Sequence, residues 1–182
     1  MTTAGHAGPD RVAGHHPTNR ARSTHATGGP SIAHAVPTRR ETEGQHVENE
    51  RVARTWMSIA GLALLGAGLI GFLPDNPIAS ADPGALFRVN ALHNIVHLIT
   101  GALALGIGLG MRGRDLANAT IAFGVLYAVV AVLLIVDPTM FGLFSDAPAN
   151  SLDHVLHAAL AVVSIALGYM ARDRVRDPAR AR

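Results

Sequence analysis

Between residues 56 and 170 polarity changes by block. Four long apolar segments, at 56–73, 91–111, 116–136 and 152–170, are separated by short stretches rich in Pro, Asp, Asn and Arg. A hydrocarbon core of roughly 30 Å is crossed by about 20 helical residues rising 1.5 Å each, so every segment is near spanning length. Within lipid each backbone amide must be bonded inside its own segment, which makes these segments helices. The pattern predicts an all-α integral membrane protein whose four transmembrane helices form an up-down-up-down bundle in the lipid bilayer.

Residues 1–50 hold no apolar run. They are rich in His, Thr, Gly, Pro, Arg and Glu, a composition that cannot bury enough surface to fold, and a disordered cytoplasmic tail is expected. Residues 51–172 then form the membrane domain and 173–182 a basic tail. Glu48 with Arg51, and Glu50 with Arg54, stand at helical spacing and would extend the first helix back out of the membrane. With 49% hydrophobic and 15% charged residues, and a mean hydropathy of +0.27, the chain is too apolar on average for a small soluble domain.

Charge orients the bundle. All 15 basic residues are arginine. With the N-terminus inside, 7 lie in the first tail, 2 in the loop at Arg112 and Arg114, and 5 after Ala171, leaving only Arg88 outside. The positive-inside rule therefore places both termini in the cytoplasm and the chain, multi-pass, in the plasma membrane. The same distribution accounts for a pI near 9.9 without nucleic acid. Arg39-Arg40 and the later Ala79-Ser80-Ala81 resemble a twin-arginine signal with its cleavage site, but 18 apolar residues are long for a signal core and acidic residues intervene. The absence of cysteine excludes disulfides, thiolate metal sites, iron–sulfur clusters and covalent c-type haem.

The second and fourth segments open alike. Leu92-His93-Asn94-Ile95-Val96-His97 aligns with Leu152-Asp153-His154-Val155-Leu156-His157, and upstream of each lies a similar fragment, Gly84-Ala85-Leu86-Phe87 and Phe141-Gly142-Leu143-Phe144. This predicts two parallel helical-hairpin repeats related by an axis along the membrane normal. The run from Gly84 to Gly101, with its Leu-His-Asn-x-x-His-Leu opening, together with Leu152-Asp153-His154-Val155-Leu156-His157, resembles the bacterial integral membrane proteins catalogued as domain of unknown function 4383, common in actinobacteria. The resemblance covers about residues 55 to 172. It departs at His154, where the family commonly has Asn, and it implies four membrane helices with no established activity.

Asn90 and Asn150 are N-cap candidates, and Asp153 completes a capping box. On the second helix His93, His97, Gly101, Ala104 and Gly108 share one stripe, and on the fourth His157, Ala161, Ser164 and Gly168 do. Small residues mark close helix contacts in membranes, and such faces also offer a route to a homo-oligomer. Gly106 and Gly110 add a GxxxG pair on a neighbouring face. Trp56 suits an interfacial anchor, and Thr120, Gly124 and Tyr127 share one face of the third helix.

Three functional readings fit. In the first, Asn94, His97, His154 and His157 form a non-enzymatic network of interhelical hydrogen bonds in the outer half of the bundle, each bond contributing about 0.6 to 2 kcal/mol. In the second, His97 and His157 face each other and ligate b-type haem, or, with His93 and His154, hold copper or zinc. Aromatics at 4% are sparse for a porphyrin pocket, and no Glu stands in the membrane domain to act as a base for zinc catalysis. The third is an oligomeric transporter of protons or small solutes, for which the spans hold no charged residue deeper than Asp153.

Overall fold

The computed structural model describes residues 39–172; the N-terminal tail up to residue 38, expected to be disordered, and the basic stretch 173–182 lie outside the described residues. Four helices dominate: α1 (Arg39–Ile70), α2 (Ala91–Gly110), α3 (Gly113–Val136) and α4 (Ser151–Arg172). All four are long and apolar enough to cross a membrane, yet only 33 to 39% of each apolar stretch is buried inside the chain. The rest turns side chains such as Leu62, Ile99, Leu103, Val132, Val155 and Val162 outward. Soluble monomers seldom expose apolar patches beyond a few hundred Å², so this surface calls for lipid. The protein is a multi-pass membrane protein.

The helix ends follow local chemistry. The polar stretch before Trp56 is helical, with Arg54 paired to Glu50 at 3.1 Å one turn away. The first apolar segment continues to Leu73, but α1 stops at Ile70. The Phe72 and Leu73 amides turn back to the carbonyls of Leu69 and Ile70, and Pro74 follows with no amide hydrogen to donate. Between α2 and α3 the expected turn over residues 112–115 shrinks to Met111 and Arg112, because Gly113 enters α3 at φ +53°, a conformation glycine adopts freely.

Both predicted asparagine caps form. Asn90 Oδ1 accepts the His93 amide at 2.9 Å, and Asn150 Oδ1 accepts the Asp153 amide at 3.1 Å while Asp153 Oδ2 accepts the Asn150 amide at 2.8 Å. The second arrangement is the capping box expected at α4.

α1 lies along α2, and α3 along α4. Glycine permits the approach. A Cβ added to Gly61 would stand 2.6 Å from the Leu105 nitrogen and 2.8 Å from the Gly101 oxygen; one added to Gly124 would stand 2.8 Å from the Ile165 nitrogen and 2.9 Å from the Ala161 oxygen. About one turn further along each helix pair, one added to Gly108 would meet Ser58 N and Arg54 O, and one added to Gly168 would meet Ile121 N and Ala117 O, at 2.8 to 3.0 Å. Every α3 member is 63 positions beyond its α1 counterpart (54 to 117, 58 to 121, 61 to 124). Every α4 member is 60 beyond its α2 counterpart (101 to 161, 105 to 165, 108 to 168). Gly106 and Gly110, by contrast, meet nothing within 4 Å.

At one end of the bundle Asn49 donates to the Met170 carbonyl and Arg54 to the Met111 carbonyl, joining α1, the α2–α3 turn and the end of α4. At the opposite end the halves exchange matching bonds: Asn90 Nδ2 donates to Leu143 O at 3.2 Å, and Asn150 Nδ2 to Leu86 O at 2.9 Å. Two loops cover this end. In the first, Asn76 organises the chain by donating to the carbonyls of Ile70, Leu73 and Ala79 and accepting the Ile78 and Ala79 amides. It leads into a two-residue parallel ladder between β1 (Ala79–Ser80) and β2 (Phe87–Arg88), too short to leave an alternating hydropathy signal. In the second, Asp137 accepts the Thr139 hydroxyl at 2.6 Å and amide at 2.9 Å, bonds that hold its carboxyl below the usual carboxylate range.

Candidate metal centre

The asparagine caps that start α2 and α4 at this looped end also set where the histidines fall. The Asn90 cap places His93 and His97 one turn apart on a single face of α2, and the capping box on α4 places His157 one turn below Asp153. The backbones of α2 and α4 make no extensive contact, and the imidazoles fill the space between them. Ring centroids are separated by 4.4 Å for His93 and His97, 5.9 Å for His93 and His157, and 6.2 Å for His97 and His157. The three residues are 2%, 6% and 3% exposed, so they lie out of reach of bulk water.

One ligand atom from each ring can be chosen so that all lie within 4.8 Å of one another. Bonds of about 2.1 Å to a tetrahedral ion put nitrogen ligands roughly 3.4 Å apart, so modest side-chain rotation closes the set. His157 Nδ1 lies 2.6 Å from the Asp153 carbonyl oxygen. A carbonyl only accepts, so Nδ1 carries the proton and Nε2 keeps its lone pair. This is the outer-shell bond that commonly orients a metal-bound imidazole. His93 Nδ1 and both nitrogens of His97 have no hydrogen-bond partner among the described residues. A buried polar atom left in that state costs about 1–3 kcal/mol, and three of them converge here.

Aromatic rings frame the cluster. Phe144 stacks on His93 at 4.8 Å, and Tyr127 lies 5.7 Å from His157 with its hydroxyl 2.9 Å from Thr100 Oγ1. Thr120 and Gly124 share the buried face of α3 with Tyr127, and the Thr120 hydroxyl bonds its own helix at Leu116 O.

The structure does not gather all the residues singled out from the sequence. His93, His97 and His157 come together. Asn94, 1% exposed, turns instead toward α1, where it lies against Gly68 and Gly71. His154 is half-buried and stands outside the three-imidazole group, its Nδ1 unpartnered. Asp153 serves the α4 cap and also accepts the Arg88 amide at 3.3 Å. Trp56 is more than an interfacial anchor, since its indole nitrogen donates to Ser164 Oγ on α4 at 2.9 Å.

His93 stands both on the stripe read along α2 and three residues after the Asn90 cap. Its spacing of four from His97 was the signal that both share a face. The stacking of Phe144 had no sequence signal, because that ring arrives from a loop with positive φ at Met140, Phe141 and Gly142.

A family model described as domain of unknown function (DUF4383) matches residues 54–170. No curated protein and no solved structure gives a match.

Proposed function

The chain belongs to the family described as domain of unknown function (DUF4383), and because that membership brings no activity with it, we propose a role from the site: a membrane bundle that holds one copper or zinc ion between α2 and α4 through His93, His97 and His157. One observation carries this reading. Three buried imidazoles converge, and His93 Nδ1 and both His97 nitrogens have no hydrogen-bond partner among the described residues, in a medium that supplies none. Neutral imidazole suits copper and zinc, and a cysteine-free chain offers no thiolate to compete. A network of cross-bonded histidines would instead pair these atoms. The compact spacing also argues for a single ion over haem, since the His93 ring, 4.4 Å from that of His97, stands in the space a porphyrin would fill.

The test is elemental analysis of the full chain, purified in detergent without a polyhistidine tag. Histidines in the N-terminal tail can hold metal of their own, so the informative quantity is the difference between wild type and His97→Ala. About one ion per chain is expected to be lost. Equal metal in the two proteins would overturn the proposal, and a Soret band that vanishes in the variant would replace it with haem.

The same reading carries an orientation. The end joined by Asn49 to Met170 and Arg54 to Met111 carries Arg112 and Arg114, whereas the histidine end has Arg88 among Asp75, Asp82 and Asp146. The positive-inside rule makes the first end cytoplasmic, with both termini there, and sets the metal in the outer half of the plasma membrane. A C-terminal green fluorescent protein fusion should fluoresce and a C-terminal alkaline phosphatase fusion should be inactive; the reverse pair of results would invert the topology.

The two hairpins are read as a repeat. The constant offsets of 63 and 60 positions in the glycine contacts support it, as do the exchanged bonds from Asn90 to Leu143 and from Asn150 to Leu86. The ion then lies near the repeat axis, where one half supplies two ligands and the other supplies one.

A further inference from the structure

Beside the three imidazoles lies a cavity of about 200 Å³. His93 and His157 form part of its wall; Val130, Leu134 and Phe144 are among its apolar lining, with Leu92 and Leu143 at the rim. The wall and the rim differ in exposure. Leu134 is fully buried and Phe144 nearly so, whereas Leu92, in the first turn of α2, is 41% exposed and Leu143, in the α3–α4 loop, 58%. The cavity thus opens from His93 and His157 toward the outward-turned apolar side chains Leu92 and Val96 of α2, beside the α3–α4 loop.

We infer that the ion's fourth coordination position opens into this cavity and takes a small, uncharged, lipid-soluble molecule that arrives from the hydrocarbon phase. This rests on the metal reading above. Three protein ligands leave a tetrahedral ion one position short, the arrangement of sites that bind an exogenous molecule. The volume is several times the roughly 30 Å³ share of a water molecule, yet cavities with aliphatic and aromatic walls stay dry and accept apolar guests. A hydrated anion would have to shed its water against Leu134 and Phe144, at a cost those side chains cannot offset. Diatomic gases meet these limits, as do neutral molecules up to about the size of one aromatic ring, the largest guest such a volume admits. The guest donates a lone pair to the ion, and no bond within it need break.

Carbon monoxide is the probe. The full chain in detergent is loaded anaerobically with one equivalent of Cu(I) under ascorbate, and the infrared spectrum is recorded under carbon monoxide. One shifted C–O stretch is expected, scaling with copper and absent from His97→Ala. Val130→Phe and, at the exposed rim, Leu143→Trp should keep copper while raising the carbon monoxide concentration for half-saturation tenfold or more. Failure to retain copper overturns this inference, and failure to retain zinc as well overturns the metal reading with it. Copper retained without a C–O band overturns this inference alone, and so does a band indifferent to both cavity variants. A band that appears only in Met140→Leu, or only after delipidation, also overturns it, because the thioether lining the cavity or an acyl chain then fills the position.

Discussion

Removing His97 or His157 is expected to weaken metal binding by roughly 100-fold or more, while removing His154 leaves the affinity within a few-fold of wild type. Loss of an outer-shell partner typically costs about 10- to 100-fold in metal affinity, and a direct ligand exceeds that. His97 is the more decisive choice, because neither of its nitrogens has a hydrogen-bond partner among the described residues. The measurement is competition with a chelator of known affinity, run on the full chain with each variant. Stability without metal gives an independent sign. Hydrogen-bonding histidines would contribute about 0.6 to 2 kcal/mol, so His97→Leu would lower the melting temperature of the metal-free protein. Unpartnered histidines instead carry a desolvation penalty, and His97→Leu should leave the metal-free protein unchanged or more stable. Metal at 100 times its dissociation constant should add about 2.7 kcal/mol to wild type and nothing to the variant. A destabilised metal-free variant with undiminished metal affinity would return these histidines to a structural role.

Much of the architecture could be read from the chain because lipid simplifies the problem. Four uninterrupted apolar blocks admit only helices, and Asn90, Asn150 and Asp153 announce where two of them begin. The stripe through His93, His97 and Gly101 was legible from a 3.6-residue period, and all three are buried. What lay between elements was not. The Asn76 clasp and the two-residue β1–β2 ladder depend on contacts within an irregular loop, which no period encodes. Asn94 and His157 were equally polar, interior candidates. One turned toward Gly68 on α1 and Gly71 just beyond its end, and the other toward the partner hairpin, a distinction set by how the helices pack.

Gly124→Val and Gly61→Val should each destabilise the bundle by roughly 1–3 kcal/mol, the cost of overpacking a tight contact. The Cβ of either variant would press on the partner helix's backbone, Ile165 N and Ala161 O in one case and Leu105 N and Gly101 O in the other. Backbone cannot swing aside as a side-chain tip does, so the helices of that hairpin must separate along their length. Alanine at the same positions should cost less but still measurably. Gly66→Ala and Gly106→Ala meet nothing within 4 Å and should be neutral or slightly stabilising, since alanine is the better helix former by up to about 1 kcal/mol. Thermal unfolding in detergent compares the four sites directly, and equal melting temperatures for the alanine variants at 61, 66, 106 and 124 would dissolve the close-packing account. The two packed glycines should also differ in what they do to metal. α4 carries one imidazole of the cluster, His157, and its seat against α3 is the Gly124 contact; α2 carries the other two, His93 and His97, and its seat against α1 is the Gly61 contact. Displacing α4 moves one ligand away from two, and displacing α2 moves two away from one. Because only relative position matters to a shared ion, both valine variants should weaken chelator-competed metal binding to a similar degree, even though neither glycine lies beside a ligand nitrogen.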